Sequence, residues 1–290
     1  MKHYSYFPGC SSSDGGAEAY GRSSQAVAKA LDLELIELDD WNCCGSTPYG
    51  SIDDLVSISV AARNLALAEK RGLDLVTPCS ACYVVLSKAN SAIKEYPHVK
   101  AGVDEALAAG GLEYNGTVRV RHLFEVVVNE AGDDQISAKV EKKLAGLKVA
   151  PYYGCQLVRP GHDFDDPEDP QSLDKLIECL GATATPFPLK GRCCGGSLII
   201  PEEGIALGLI NKLLGSATGG GAECIVTVCP LCQTNLDVYQ SKVNKKFGAH
   251  YHIPVLFFSQ LLGLAMGMGI KELGIDRGIV SADEVLSRYA

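Results

Sequence analysis

Apolar and polar positions along the chain switch between a short and a longer period, and the whole series of switches occurs twice. His3 to Phe7 reads as a strand. Ala17 to Leu31 reads as a helix, with Ala28 and Leu31 on its apolar face. Leu33 to Leu38 is a second strand. Ile52 to Arg71 carries Leu55, Ile58, Ala62 and Leu65 at helical spacing, and Gly72 stops it. Leu73 to Thr77 is a third strand, followed by a helix from about Tyr83. The later half repeats the order: strand 147–153, helix 171–180, strand 182–186, helix 202–214, strand 223–228, then a helix from about 232. Strands that alternate with helices predict an α/β fold with a parallel sheet covered by helices. Two such series predict two pseudo-symmetric repeats, 1–146 and 147–290, joined through the charged stretch from Asn129 to Leu147, which is itself a candidate helix.

One segment departs from this pattern. Ile253 to Ile270 holds no charge over 18 residues, the lower limit for a membrane span. It also holds Pro254, Ser259, Gln260 and three glycines, so a short buried strand followed by a buried helix is expected in place of a span.

Cysteine makes the duplication unmistakable. Ten of the twelve cysteines form one pattern written twice: Cys10, Cys43-Cys44, Cys79 and Cys82, then Cys155, Cys193-Cys194, Cys229 and Cys232. Each vicinal pair is followed by glycine, Gly45 or Gly195, and 34 residues separate each pair from its C-x-x-C. Flanking residues repeat too. Tyr-Phe-Pro-Gly-Cys10 parallels Tyr-Tyr-Gly-Cys155, and Val-Thr-Pro-Cys79 parallels Val-Thr-Val-Cys229. Cys10, Cys79, Cys155 and Cys229 directly follow predicted strands, and the vicinal pairs lie just beyond the second strand of each half. The strands of a parallel sheet point one way, so each half brings its five thiols to the carboxyl edge, where ligands bind in open α/β sheets. Helices starting there favour negative charge.

Composition narrows the chemistry. A net charge of −9 with no Lys/Arg-rich run argues against a nucleic-acid partner. Met1 to Cys10 has no apolar secretory core, which points to a cytoplasmic chain and to reduced thiols. Burial as core thiols explains Cys179 and Cys224, which have no repeat partner, but not the ten repeated positions. Zinc and thioredoxin-like dithiols are the other uses of a C-x-x-C, and the latter leaves the vicinal pairs unexplained. A cubane or a zinc site takes four cysteines, whereas each set has five. Either one is spare, or the group is larger or less regular than a cube. Adjacent cysteines suit two neighbouring irons better than one tetrahedral ion, which favours an irregular multi-iron cluster.

With these motifs the chain resembles the CCG-domain family and, within it, the B subunits of heterodisulfide reductases. The resemblance runs through Cys10…Cys43-Cys44-Gly45…Cys79-x-x-Cys82 and its second copy, and includes Phe257-Phe258-Ser259-Gln260-Leu261 and Lys271-Glu272-Leu273-Gly274. Related subunits of glycolate and lactate oxidation systems also carry CCG repeats, often fused to ferredoxin-type segments that this chain lacks. The resemblance implies two non-cubane [4Fe–4S] clusters, one per half, each held by five cysteines. It implies reduction of the mixed disulfide of coenzyme M and coenzyme B, or of an analogous disulfide. It also implies two partners: a C subunit with cubane clusters and a flavin-bearing A subunit.

The residues agree with that chemistry. Reducing a disulfide takes two electrons and yields two thiols, and two facing clusters can each deliver one electron. The substrate's anionic groups would need cations in an acidic chain. Arg159 and His162 after Cys155, and Lys190 and Arg192 before Cys193, are the candidates. His122 is expected to be structural. Pro160 to Pro170 is a lid, a docking surface or a long polar connection. Two other functions fit the cysteines: an electron-transfer subunit of a hydroxyacid or quinone-linked oxidoreductase, and a zinc-stapled assembly protein.

Overall fold

The computed structural model describes residues 1–13, 16–46, 49–159 and 164–289. It contains two four-stranded sheets. The first is built from β1 (Lys2–Tyr6), β2 (Leu33–Glu37), β3 (Leu75–Thr77) and β4 (Val120–His122). The second is built from β5 (Lys148–Tyr152), β6 (Thr183–Ala184), β7 (Cys224–Thr227) and β8 (Val255–Phe257). Their strand orders are β2-β1-β3-β4 and β6-β5-β7-β8, and every pairing is parallel. The order reverses between β1 and β3, and between β5 and β7. A crevice opens at the carboxyl ends of such strand pairs.

Helices fill the connections. The first half has α1 (Gly9–Ser13), α2 (Glu18–Ala30), α3 (Asp54–Arg71), α4 (Ser80–Glu95), α5 (Pro97–Ala108), α6 (Leu123–Val126) and α7 (Gly132–Lys139). The second has α8 (Ser172–Cys179), α9 (Glu203–Gly219), α10 (Pro230–Val238), α11 (Gln240–Phe247) and α12 (Phe258–Ala265). Local chemistry sets their ends. The Asp53 carboxylate caps α3 by accepting from the Val56 N–H at 2.9 Å, and Gly72 closes it in the left-handed conformation. The candidate helix near the repeat boundary is real: a π turn at Val127–Ala131 leads into α7.

Three details differ from the sequence pattern. The strand β4 has no counterpart in that pattern, because Val120, Arg121 and His122 are too few and too polar to show a period. β6 keeps two residues of the five expected. Both C-x-x-C helices start earlier than predicted. Cys79 and Cys229 are their N-caps, so Cys82 and Cys232 lie inside the first turn. The uncharged segment 253–270 folds as expected, into the buried strand β8 and the fully buried helix α12. No helix among the described residues is long and apolar enough to cross a membrane.

The two sheets do not have separate cores. Two hydrophobic clusters each take residues from both halves. Tyr20 of α2 is the main tie. Its ring stacks on Phe257 at 4.0 Å and 3°, and its hydroxyl donates to the Val228 carbonyl at 3.0 Å. Ser23 and Ser259 hydrogen-bond beside it at 2.7 Å. Truncating a buried aromatic costs about 3–5 kcal/mol. Tyr20→Ala should lower the denaturation free energy by that amount, and Tyr20→Phe by only about 1 kcal/mol for the lost hydrogen bond. An equilibrium denaturant melt measures both. A Tyr20→Ala loss under about 1 kcal/mol would show that the halves are held elsewhere.

Candidate metal centre

The strand–loop–helix junctions deliver the sulfurs. Cys10 and Cys79 come within four residues of the ends of β1 and β3, and Cys155 and Cys229 within three of the ends of β5 and β7. Within each set, depth is graded. Cys44, Cys79 and Cys82 are buried, while Cys10 and Cys43 are exposed. Cys194, Cys229 and Cys232 are buried, Cys155 is half-buried and Cys193 is exposed. The Cys194 and Cys232 sulfurs lie 3.6 Å apart. Of the two unrepeated cysteines, Cys224 is wholly buried in β7 and Cys179 ends α8, packed against the core and bonded to Ser137.

Backbone conformation explains the glycines that flank the cysteines. Gly9 and Gly154 both have positive φ, +72° and +67°. A Cβ on either would stand 3.0 Å from a sulfur, Cys82 Sγ in the first half and Cys232 Sγ in the second. Any side chain would therefore be strained and would enter the sulfur site. Asparagines fix the vicinal pairs. Asn64 clasps Asn42 through two bonds of 3.0 Å just before Cys43, and the Asn235 amide donates to the Cys194 carbonyl at 3.0 Å. Periodicity alone does not mark these asparagines, although each lies on a helix face with otherwise apolar neighbours.

Each cysteine set lines a cavity. The first has a volume of about 500 Å³ and the second about 70 Å³. The larger is walled mainly by apolar atoms, with Ile200, Pro201 and Leu231 contributed by the other half. Both cavities share Ser46, Ala81, Gly196, Ser197 and Leu231, so they meet at one wall. Ala81 and Leu231 are equivalent positions inside the two C-x-x-C turns. Across that wall Cys79 and Cys229 are close enough to shift each other's ionisation, Cys79 upward and Cys229 downward.

Interaction between neighbouring sulfurs divides the thiols into proton donors and acceptors. Cys44 is pulled down to about 4 by the Cys43 thiol, then by that of Cys82, against its burial. Cys193 falls to about 6 through the Cys155 thiol, assisted by the Gly195 and Gly196 N–H groups. Cys229 is held well below the usual thiol range by Cys232 and then Cys79, with help from the N–H groups of Leu231 and Cys232 at the start of α10. The donors move the other way. Cys43 is raised first by Cys44, Cys155 by Cys193, Cys79 by Cys229, and both Cys82 and Cys232 are raised by their vicinal-pair partners.

The donor set fits a polynuclear sulfur-ligated group. Among the described residues no three His, Cys, Asp or Glu donors gather closely enough to hold a single ion. The sulfurs instead surround a space, with glycine cradles open toward them and helix N-termini behind.

The four candidate cations lie outside both cavity walls or outside the described residues. Arg159 donates to the Pro167 carbonyl at 2.9 Å and pairs with Glu168 at 2.8 Å. Lys190 pairs with Asp169 at 2.9 Å and Asp174 at 3.2 Å, above the Tyr153 ring. Arg192 is exposed, next to Cys193; its carbonyl accepts from the Tyr152 hydroxyl at 2.7 Å. His162 falls outside the described residues, as do the other positions of 160–163 in the polar stretch. The rest of that stretch, 164–170, is a series of turns in which Asp165 and Asp166 accept backbone N–H groups. His122 is buried at the end of β4.

The duplicated cysteine pattern is shared with known proteins. Residues 4–87 and 149–237 each match the cysteine-rich domain family, CCG, and the chain belongs to that family. It is 36% identical to the 8-methylmenaquinol:fumarate reductase membrane anchor subunit of Wolinella succinogenes, covering 98% of this chain and 99% of that one. It is 34% identical to the B subunit of the ferredoxin/F420H2-dependent CoB–CoM heterodisulfide reductase of Methanosarcina acetivorans, over 92% and 90% of the two chains. A protein of Archaeoglobus profundus that is named as similar to the heterodisulfide reductase B subunit is 32% identical over 99% and 98%. A crystal structure of a hypothetical protein from Helicobacter pylori shares the fold, with a TM-score of 0.76 at 16% identity. The match takes in 97% of this chain and 52% of that protein's length.

The thiolate pattern gives a direct test on metal-free protein. Iodoacetamide should label the exposed Cys193 with a rate that climbs through about pH 6 and levels off above it, because the thiolate dominates there. Site-resolved mass spectrometry follows the label. An inflection near the ordinary thiol value of about 8.5 would contradict the bonding to Cys155.

Proposed function

We propose that this chain is the disulfide-reducing iron–sulfur subunit of a heterodisulfide reductase-type complex. Its substrate is the mixed disulfide of coenzyme M and coenzyme B or an analogue. The carrying observation is that the cavities of the two five-cysteine sets meet at one wall, with Cys79 and Cys229 neighbours across it. The ten repeated cysteines are the ligands of two non-cubane [4Fe–4S] clusters, one in 1–146 and one in 147–290. When bound, such groups supply one-electron chemistry on sulfur. Two electrons and two protons convert one disulfide into two thiols, so two adjoining one-electron sites match the stoichiometry. The chain's residues supply the rest. The Ser46–Ser197 wall aligns a molecule between the sets, and Ile200 and Pro201 give the larger cavity an apolar, exposed rim.

Arg192 is the principal anion-holding residue in this proposal. It adjoins Cys193, and no bond engages its guanidinium among the described residues. Arg159, His162 and Lys190 complete the proposed set; Arg159 and Lys190 must exchange their present carboxylate partners for the substrate. A C subunit with cubane clusters and a flavin-bearing A subunit supply the electrons, and the complex works in the cytoplasm.

A second function is favoured by a specific observation. The larger cavity is walled mainly by apolar atoms, and the Wolinella relative is named for a quinol-linked enzyme. In that case the cysteine sets relay electrons for a quinone-linked partner and bind no disulfide.

Anaerobically purified protein should hold about eight irons with matching acid-labile sulfide. Cys194→Ser should remove about half of that iron, from the second half. Two zinc ions and no sulfide would leave the zinc-stapled assembly role standing instead. Turnover of the mixed disulfide with an artificial donor then separates catalysis from relay. Arg192→Met should raise KM about tenfold, the effect of losing one charge-assisted hydrogen bond, with iron retained. An unchanged KM would remove Arg192 from the site.

A further inference from the structure

The twofold repeat breaks at one polar contact beside the cysteines. His122 is fully buried at the end of β4. Its Nδ1 accepts from the Phe124 backbone N–H at 3.2 Å. A backbone N–H can only donate, so Nδ1 carries the lone pair and the neutral ring carries its proton on Nε2. Nε2 lies 3.2 Å from Ser80 Oγ, and with that tautomer the imidazole donates and the hydroxyl accepts. One Ser80 lone pair is thereby occupied, and the hydroxyl's own proton is turned away from the ring.

Ser80 is the first residue of the Cys79–Cys82 turn, yet it lines the cavity of the second-half cysteines. A first-half residue is thus part of the wall around the second-half cysteines. The second half offers nothing in return. Residues 79–82 and 229–232 correspond, so Pro230 occupies the place of Ser80. In the first sheet Thr77 pairs with His122, and in the second Thr227 pairs with Phe257, so Phe257 occupies the place of His122. Neither Pro230 nor the Phe257 ring has a polar hydrogen to give. Chain duplication therefore kept the sulfurs and changed this pair.

We propose that Ser80, oriented by His122, is a hydrogen-bond donor to sulfur in the second cavity, and that it makes the two cysteine sets electronically unequal. The inference rests on the iron–sulfur reading of those sets. A hydrogen bond to sulfur stabilises the more negative, reduced state, so the second-half site gains the higher potential. Ser80 and His122 are positioning residues here; neither breaks a bond.

A redox titration of the anaerobically purified chain, followed by electron paramagnetic resonance, decides the matter. Iron and sulfide counts on the wild type come first, and wild-type protein without iron would overturn the cluster reading itself. With both clusters present, Ser80→Ala should lower one midpoint by a tenfold change in its reduction equilibrium, about 59 mV for one electron. The other midpoint should stay in place, and the shifted signal should be the one that Cys194→Ser abolishes. Ser80→Thr should restore it, because the hydroxyl returns. His122→Phe, which copies the second-half residue, should lower the same midpoint with Ser80 still present. If Ser80→Ala moves neither midpoint, or both equally, with iron retained, the inference is wrong.

Discussion

The crowding of ionisable sulfurs is the constraint on which this structure turns. Six of the ten repeated cysteines are buried at the joint of the two sheets, and isolated buried thiolates would be expensive there. Proton sharing resolves the conflict. Cys44, Cys193 and Cys229 take the negative charge, and Cys43, Cys155, Cys79, Cys82 and Cys232 keep protons pointed at them. The α10 N-terminus adds two backbone N–H groups to Cys229. Ligation of metal demands that the donors ionise as well. Under the proposed ligation, loading is a proton-releasing step, and the same sulfur pairs are those that must surrender protons to it.

That joint also dictates how the two halves may meet. Equivalent residues of the two C-x-x-C turns, Ala81 and Leu231, wall both cavities, and Cys79 and Cys229 are neighbours across the wall. A small rotation between halves would separate the sulfurs and open the wall. The packing that prevents it adjoins the site: Tyr20, Phe257, Phe258 and Phe124 interlock, and the Tyr20 hydroxyl holds the Val228 carbonyl just before Cys229. Shared hydrophobic clusters make the repeats one folding unit, even though each has its own sheet. Duplicated sequence and undivided core are compatible because the apolar face of α2 packs on α12, an element of the opposite repeat.

Much of this is readable from residue order, for a definable reason. The cysteine spacing repeats, the strands that precede Cys10, Cys79, Cys155 and Cys229 have clear apolar patterns, and a parallel sheet allows only one edge for their loops. What stays hidden depends on pairings distant in sequence. β4 has no pattern of its own and exists because Leu75, Val76 and Thr77 offer it hydrogen bonds. Closeness to cysteine in sequence points to the substrate cations, whereas the folded chain pairs Arg159 and Lys190 with the acidic residues of 165–174. Apolar lining of the larger cavity comes from residues of the opposite repeat, which no local window contains.

Asymmetry then becomes the informative quantity in a duplicated protein. The sulfurs and their glycine cradles are matched pair by pair, so the geometry of the sulfur sites is the same in both halves. The cavities are not matched: one is large and apolar, the other small and lined in part by Ser80 of the opposite repeat. Any molecule lying across the wall therefore meets different surroundings on its two sides: a roomy apolar cavity on the first-half side, and a much smaller one beside Cys193 on the second.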